Sequence, residues 1–249
     1  MLELQNLSKH FGGVRAVDGL SLRIDPGQIF GLIGPNGSGK STTVNLITGL
    51  LQATHGSIRL AGEEITRLPT HARLSTGIAR TFQNIRLFGQ LTVWQNLWVA
   101  ENSKAQRQHT GFMPRWLGGE RGARVRITRA LEFSGLADKA DELASNLAFG
   151  EQRRLELARA MAAEPKVLLL DEPAAGMNPE EIGALDDRIR HIRDSGITVL
   201  LIEHHMELIM AIADRIAVLN FGQKIAEGTP AEVQAHPAVR EAYLGTAEH

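Results

Sequence analysis

Gly34-Pro35-Asn36-Gly37-Ser38-Gly39-Lys40-Ser41 fits the pattern G-x-x-x-x-G-K-[ST]. The glycines let successive backbone N–H groups turn inward and form a nest for anions. A helix that starts immediately afterwards adds its positive end. Lys40 is placed to reach the β- and γ-phosphates of a nucleotide, and Ser41, followed by Thr42, supplies a hydroxyl to Mg²⁺. In a chain of this length such a match arises by chance about once in a hundred. Here an apolar strand, Ile29–Ile33, precedes the loop and a helix with Val44, Leu46 and Ile47 follows it. That is the context the motif requires, so these residues predict nucleotide binding.

Two further apolar runs end in groups able to complete the chemistry. "VLLLDEP" ends in Asp171 and Glu172, and "VLLIEHH" in Glu203, His204 and His205. In open α/β sheets ligands gather beyond the carboxyl ends of the strands, so both ends face the triphosphate. Neighbouring residues at a strand end point in different directions and take different roles. Asp171 is expected to hold Mg²⁺ through water, and Glu172 to accept a proton from the attacking water. A histidine at the third strand end can donate a hydrogen bond to the γ-phosphate. Two adjacent histidines without further ligand spacing do not make a metal site.

"NLAFGEQRRLELARA", Asn146 to Ala160, looks like a second phosphate-binding helix start with its lysine missing. Leu155, Ala158 and Ala162 recur at helical spacing, as they would on an ordinary amphipathic helix. That reading leaves the Phe149-Gly150-Glu151 start unexplained.

These groups need a scaffold. Leu20, Leu22 and Ile24 alternate with polar residues, as do Ile58 and Leu60, which predicts antiparallel strands with one wet face. Asp25–Gly27 reads as a turn, and Ala61–Glu64 as a hairpin tip. Ile29–Ile33, Val167–Leu170 and Val199–Ile202 are continuously apolar, as strands buried on both faces are. From about Asn84 to Ala163 helical periodicity dominates, in "LTVWQNLWVAENSKAQ" and "RITRALEFSGLADKADELA". "HTGFMPRWLGGERGAR" between them reads as a loop, and its Arg115, Arg121 and Arg124 as a solvated basic surface. The expected fold is α/β: a parallel core, an antiparallel N-terminal layer and an inserted, mostly helical lobe. Residues 1–83 and 164–249 form the core lobe, residues 84–163 the helical lobe, and 1–249 a single domain. The tail from Pro230 is expected to be helical and to pack on the core.

The 249 residues include no cysteine and carry a formal net charge of −1. Disulfides and thiolate metal sites are excluded, which fits a reducing compartment. Near-neutral charge argues against a nucleic-acid partner. The N-terminus lacks the pattern of a signal peptide, and no apolar run approaches the roughly 18 residues of a membrane helix. A soluble chain is expected, reaching a membrane only through partners.

Together these segments resemble the ABC-type ATPases, the nucleotide-binding subunits of ABC transporters, from about Leu2 to Gly245. The resemblance rests on Gly34–Ser41, "TFQN" around Gln83, "LAFGEQ" at Leu147–Gln152, "LLLDEP" at Leu168–Pro173, "AGMN" at Ala175–Asn178 and "IEHH" around His204. It implies a P-loop NTPase (RecA-like) core and an Mg²⁺-dependent ATPase. It also implies that ATP is sandwiched between two subunits facing head to tail. The lysine-free helix start, Ala148, Phe149, Gly150 and Glu151, then caps ATP held by a partner's loop, with Asn178 at the dimer seam. Gln83 takes the role of the glutamine touching Mg²⁺ and the reacting water, and His204 that of the switch histidine. Phe11 stacks on adenine or is a plain core residue. Phe88, Trp94 and Trp98 line a groove for a permease helix or belong to the lobe core.

Two departures stand out. The usual signature, LSGGQ, has its serine replaced by Ala148 and its first glycine by Phe149. Losing one hydrogen bond to a charged group costs roughly 1.5–3 kcal/mol, so closure on this signature is expected to be weaker. The usual aspartate of the D-loop is Asn178. Both departures, with "RTFQNIRLF" at Arg80–Phe88, the loop insert and "YLG" at Tyr243–Gly245, resemble the ATPases of branched-chain amino acid importers and related amide or urea importers. Implied partners are a second, different ATPase or a second copy, membrane permeases and, indirectly, a solute-binding protein. The implied location is the cytoplasmic face of the membrane. The alternatives are a lipopolysaccharide-type exporter and an ABC ATPase working off the membrane. A binding module with a dead site is disfavoured because all the reacting residues are present.

Overall fold

The computed structural model describes residues 1–82, 85–108, 119–204 and 206–244. They fall into two compact units, Met1–Arg80 with Lys166–His249, and Thr81–Pro165.

The first unit holds two sheets. One is antiparallel, in the order β2-β1-β4-β5, built from β1 (Leu2–Phe11), β2 (Val14–Ile24), β4 (His55–Leu60) and β5 (Glu63–Glu64). Leu20, Leu22 and Ile24 point into the core while their neighbours stay wet, as the alternation predicts. The other sheet has the order β10-β9-β3-β8-β7-β6. Its centre is β3 (Ile29–Ile33), β7 (Val167–Asp171) and β8 (Thr198–Ile202), in which every residue is buried. Flanking them are β6 (Ile78–Arg80), β9 (Arg215–Asn220) and the antiparallel edge strand β10 (Gln223–Gly228). Three residues are too few to show a period, so β6 is not legible in the sequence.

The register puts the functional strand ends side by side. Leu32 of β3 is level with Ile202 of β8, and Ile202 with Asp171 of β7. One core, containing Leu2, Leu22, Phe30, Val44, Ile47, Leu169, Leu200 and Leu219, fills the space around these sheets. Each such side chain contributes about 1.5–3 kcal/mol by leaving water.

Helix α1 (Lys40–Thr48) follows the glycine loop, and α2 (Thr70–Thr76) lies beyond β5. Arg73 of α2 is among the largest fully buried side chains. Its guanidinium donates to the carbonyls of Leu46, Ile47 (2.9 Å), Thr66 (2.5 Å) and Leu68 (2.9 Å). Gly49 ends α1 at φ 78°, and a Cβ there would lie 2.9 Å from Arg73 Nε. Both the turn and the packing therefore require glycine.

The second unit contains α3 (Val93–Gln108), α4 (Gly119–Ser134) and α5 (Phe149–Ala162) around Val93, Leu97, Ile127, Leu131, Leu147, Leu155 and Ala158. Asn96, fully buried, accepts from Phe88 N–H and donates to the carbonyls of Phe88, Leu91 and Thr92. Two expectations are corrected here. Gly119–Arg124, read as loop, is the first part of α4; its glycines lower helix propensity, so the local sequence points to a loop there. The helix read from Arg126 onward stops at Ser134, because Gly135 turns the chain at φ 64°. Ala162 is only half-buried, whereas Leu155 and Ala158 are fully packed. Arg124 is exposed; Arg115 and the side chain of Arg121 lie outside the described residues.

The first unit is completed by α6 (Pro179–Asp194), α7 (Met206–Ile212), α8 (Pro230–Ala235) and α9 (Pro237–Leu244). The tail is helical as expected, up to Leu244.

Candidate functional site

Gly34–Ser41 leaves the carboxyl end of β3 and turns into α1. Gly34 sits at φ 151°, and a Cβ there would lie 2.1 Å from Leu219 O and 2.6 Å from Ser38 Oγ. Gly39 sits at φ 103°, where a Cβ would meet Ala16 O at 2.4 Å. No side chain fits at either position, so the loop backbone stays bare. Pro35 is half-buried, Asn36 and Gly37 are exposed, and Ser38 is buried. Gly39 is also the N-cap of α1 and offers no side-chain acceptor. The first N–H groups of α1 therefore have no side-chain partner. Ser41 is exposed in that first turn and Thr42 is half-buried.

Lys40 folds back on the loop, with Nζ donating to Gly34 O (2.6 Å) and Pro35 O (3.0 Å). Burial pushes its pKa down, and the charges of Glu172 and Asp171 push it back up. Among the described residues its hydrogen bonds go to carbonyls, which are groups that phosphate oxygens can replace.

The adjacent acids at the end of β7 diverge, as expected. Asp171 is buried and accepts from Arg80 Nη2 at 2.6 Å. Glu172 is half-buried and adopts φ 48°, a left-handed conformation costing roughly 1–2 kcal/mol. Its N–H donates to Ile202 O at 2.8 Å, tying it to the end of β8. His204 is exposed, with Nδ1 3.8 Å from Glu172 Oε2 and 3.9 Å from Glu203 Oε2. Glu172 and His204 are thus brought together. Gln83 and His205 lie outside the described residues. Phe11 is 48% exposed with Lys9 Nζ 5.0 Å from its ring centroid, so it is not a core residue.

Three residues of this region escaped the sequence reading as site residues. Arg80 pairs with Asp171 and donates through Nη1 to Asn45 Oδ1 of α1 at 2.7 Å. Glu203, fully buried, accepts from Ala174 N–H at 2.8 Å and from His204 N–H at 3.2 Å. It holds the turn after Glu172 against the end of β8. Tyr243 on α9 accepts a hydrogen bond from the Gly34 N–H, and burial raises its pKa. Nothing in local spacing links Arg80 to Asp171, Glu203 to Ala174 or Tyr243 to Gly34.

In the other unit, α5 begins after Ala148, an exposed N-cap residue that makes no side-chain cap. Glu151 accepts from Ala148 N–H at 3.0 Å, a one-sided capping box. Its carboxylate also meets Lys139 Nζ at 2.9 Å and Arg154 at 3.6 Å. Phe149 is 48% exposed, with the Arg153 guanidinium 5.5 Å from its ring. By contrast, α6 and α8 are fully capped, by Asn178 accepting from Glu181 N–H and by Thr229 accepting from Glu232 N–H. The seven-residue α2, starting after Pro69, also lacks a side-chain cap. Of the aromatics in this unit, Trp94 packs on the helical core; Trp98 stacks on it at 6.4 Å and stays 44% exposed, as Phe88 does at 48%.

Comparison with known proteins follows the same lines. Residues 17–175 match the family model described as ABC transporter. Residues 223–249 match the model of the branched-chain amino acid ATP-binding cassette transporter. The high-affinity branched-chain amino acid transport ATP-binding protein BraF of Pseudomonas aeruginosa is 44% identical over 254 aligned residues, covering 99% of this chain and 98% of its own. The crystal structure of the ADP conformation of MJ1267, an ATP-binding cassette of an ABC transporter, superposes with a TM-score of 0.85 at 32% identity, covering 98% of both chains. The dimeric post-hydrolysis state of the ATP-binding cassette MJ0796, bound to ADP and Pi, gives 0.77 at 26% identity, covering 92% of this chain and 99% of that one.

Proposed function

This chain belongs to the ABC transporter family, and we propose that it is the ATP-hydrolysing subunit of an importer for branched-chain amino acids or related small polar solutes. The observation that carries the mechanism is the alignment of three strand ends. The glycine loop, the Asp171–Glu172 pair and His204 lie at the carboxyl ends of β3, β7 and β8, side by side in one sheet. The match of residues 223–249 supports the importer over a lipopolysaccharide-type exporter.

The two compact units are the lobes of one ATPase domain. Gly34, Pro35, Asn36, Gly37, Ser38 and Gly39 wrap the phosphates with backbone N–H groups, helped by the start of α1. Lys40 releases the loop carbonyls and takes the β- and γ-phosphate oxygens. Phe11 stacks on the adenine. Glu172 accepts the proton of the attacking water, and His204 holds the γ-phosphate side of that water. Ser41 and Thr42 lie at the helix start, and Ser41, Asp171 and Gln83 are the residues that would hold Mg²⁺. A hydroxyl and a carboxylate are hard oxygen donors, which fits a cation bound through few protein groups and the substrate's phosphates. When bound, Mg²⁺ supplies positive charge against the β- and γ-phosphate oxygens.

The lysine-free start of α5 serves a partner subunit. Ala148, Phe149, Gly150 and Glu151 present backbone N–H groups to ATP held by the partner's loop, and the partner's lysine supplies the charge. Asn178 lies at the seam. ATP is held from both sides only when the pair is closed, and this differential contact drives the switch. The partner is a different ATPase or a second copy. Exposed Phe88 and Trp98 offer an anchor for a permease at the cytoplasmic membrane face, and a solute-binding protein feeds the permease.

Gentle membrane solubilisation and affinity purification of the tagged chain from its own cells tests the assembly. Permeases and a second ATPase in the eluate support the importer; recovery without any permease removes it. The Glu172→Gln variant tests the chemistry. Turnover falls at least a hundredfold while ATP binding persists and an ATP-bound dimer accumulates. Unchanged hydrolysis removes Glu172 from the base role.

A further inference from the structure

Arg80 closes β6, the last strand before the segment that contains Gln83. Its side chain is 11% exposed, and that of Asp171 8%. One arm of the guanidinium donates to Asp171 Oδ2 at 2.6 Å and another to Asn45 Oδ1 at 2.7 Å. Asn45 lies one turn beyond Ser41 on the same face of α1. A single planar group therefore bridges the strand end bearing Asp171 and the helix face bearing Ser41.

We propose that Arg80 is a positioning residue that holds Asp171 in register with Ser41, so that the two flank the cation accompanying the nucleotide. This rests on the reading of Ser41 and Asp171 as the Mg²⁺ residues. A carboxylate has about four lone-pair sites, so the bond to Oδ2 leaves Oδ1 for metal-bound water. The contribution is geometric. A positive charge beside Asp171 by itself weakens the pull of the carboxylate on a second cation, so a purely electrostatic Arg80 would oppose Mg²⁺. Arginine's rigid fork can satisfy both partners at fixed separation, whereas a lysine ammonium is a point charge on a flexible stem.

The test is a Mg²⁺ titration of fluorescent, non-hydrolysable ATP analogue binding to the full chain. In Arg80→Lys the half-saturating Mg²⁺ concentration rises about tenfold, the loss typical of groups that orient a metal ligand. Nucleotide affinity without Mg²⁺ stays within about twofold of wild type. Asn45→Ala shifts Mg²⁺ dependence the same way by about threefold, and it carries the test if Arg80→Lys does not fold. Unchanged or tighter Mg²⁺ dependence in the folded variants overturns the proposal. Asp171→Asn and Ser41→Ala separate the two ideas. A shift in these but not in Arg80→Lys removes Arg80 alone. No shift in any of them removes the Mg²⁺ assignment and the proposal with it.

Discussion

Two helix starts in this chain solve related problems by different means. At α1 the N-cap is Gly39, twisted to φ 103°, and the first helical residue is Lys40. At α5 the N-cap is Ala148 in an extended conformation, and no lysine follows within the first turn. Neither helix has a side-chain cap, although a polar N-cap is worth about 1 kcal/mol. α6 and α8 have that cap. The difference between α1 and α5 is therefore in charge and shape. The first start carries its own cation and follows a glycine loop. The second has an exposed phenylalanine and is stabilised on its flank by Glu151. On the proposed function, the first holds a nucleotide alone and the second completes a site that a partner has already charged.

Removing the cation is expected to have the greatest consequence. Lys40→Met should reduce ATP binding by the isolated chain at least tenfold and hydrolysis at least a hundredfold, read by fluorescent nucleotide titration and phosphate release. Wild-type affinity in this variant would make the two starts equivalent. Gly150→Asp should give a different profile: nucleotide binding by the single chain within about twofold, and ATP-dependent pairing and hydrolysis reduced at least tenfold. A carboxylate at that start repels the partner's γ-phosphate. Equal loss of binding by the single chain would show that α5 does not serve a partner.

Ala148→Ser acts in the opposite direction. The restored hydroxyl should tighten the closed pair at least about tenfold, in line with 1.5–3 kcal/mol for one bond to a charged group. The same hydroxyl can cap α5, adding about 1 kcal/mol to stability, or roughly 2–4 °C in melting temperature. A melting gain without tighter pairing would assign Ala148 to the helix alone.

The smallest expected effect is in the flank of α5. The Lys139 hydrogen bond, aided by the Ala148 N–H, holds the Glu151 pKa below its ordinary value of 4.5. The stabilisation is complete above 4.5 and disappears as pH falls through the lower folded-state value. Glu151→Gln should therefore melt lower than wild type at pH 7, and the gap should close in the acid range below pH 4.5. A gap independent of pH would mean that the carboxylate charge contributes nothing there.

What was legible in the sequence follows from how far apart the cooperating groups lie. The glycine loop announces itself because all its parts lie between Gly34 and Ser41. The strands β3, β7 and β8 are legible because burial on both faces leaves unbroken apolar runs, and their polar ends mark the site. Arg80 and Asp171 are 91 positions apart, and Glu203 and Ala174 are 29 apart. Only the parallel register brings each pair together, and residue spacing has no record of it. Tyr243 reaches Gly34 from the far end of the chain in the same way. The start of α4 was missed for a local reason. Gly122 opposes helix by about 1 kcal/mol relative to alanine, so the local signal there points to a loop.

The buried Arg73 has a consequence at the opposite end of α1. That helix has nine residues and is about 13 Å long. Its peptide dipoles leave roughly half a positive charge at the loop and half a negative charge at Leu46 and Ile47. A guanidinium bonded to those two carbonyls neutralises the negative pole. From the loop the helix then looks like a monopole, whose field falls off more slowly with distance than a dipole's. An incoming triphosphate is attracted by that field before it makes its first hydrogen bond.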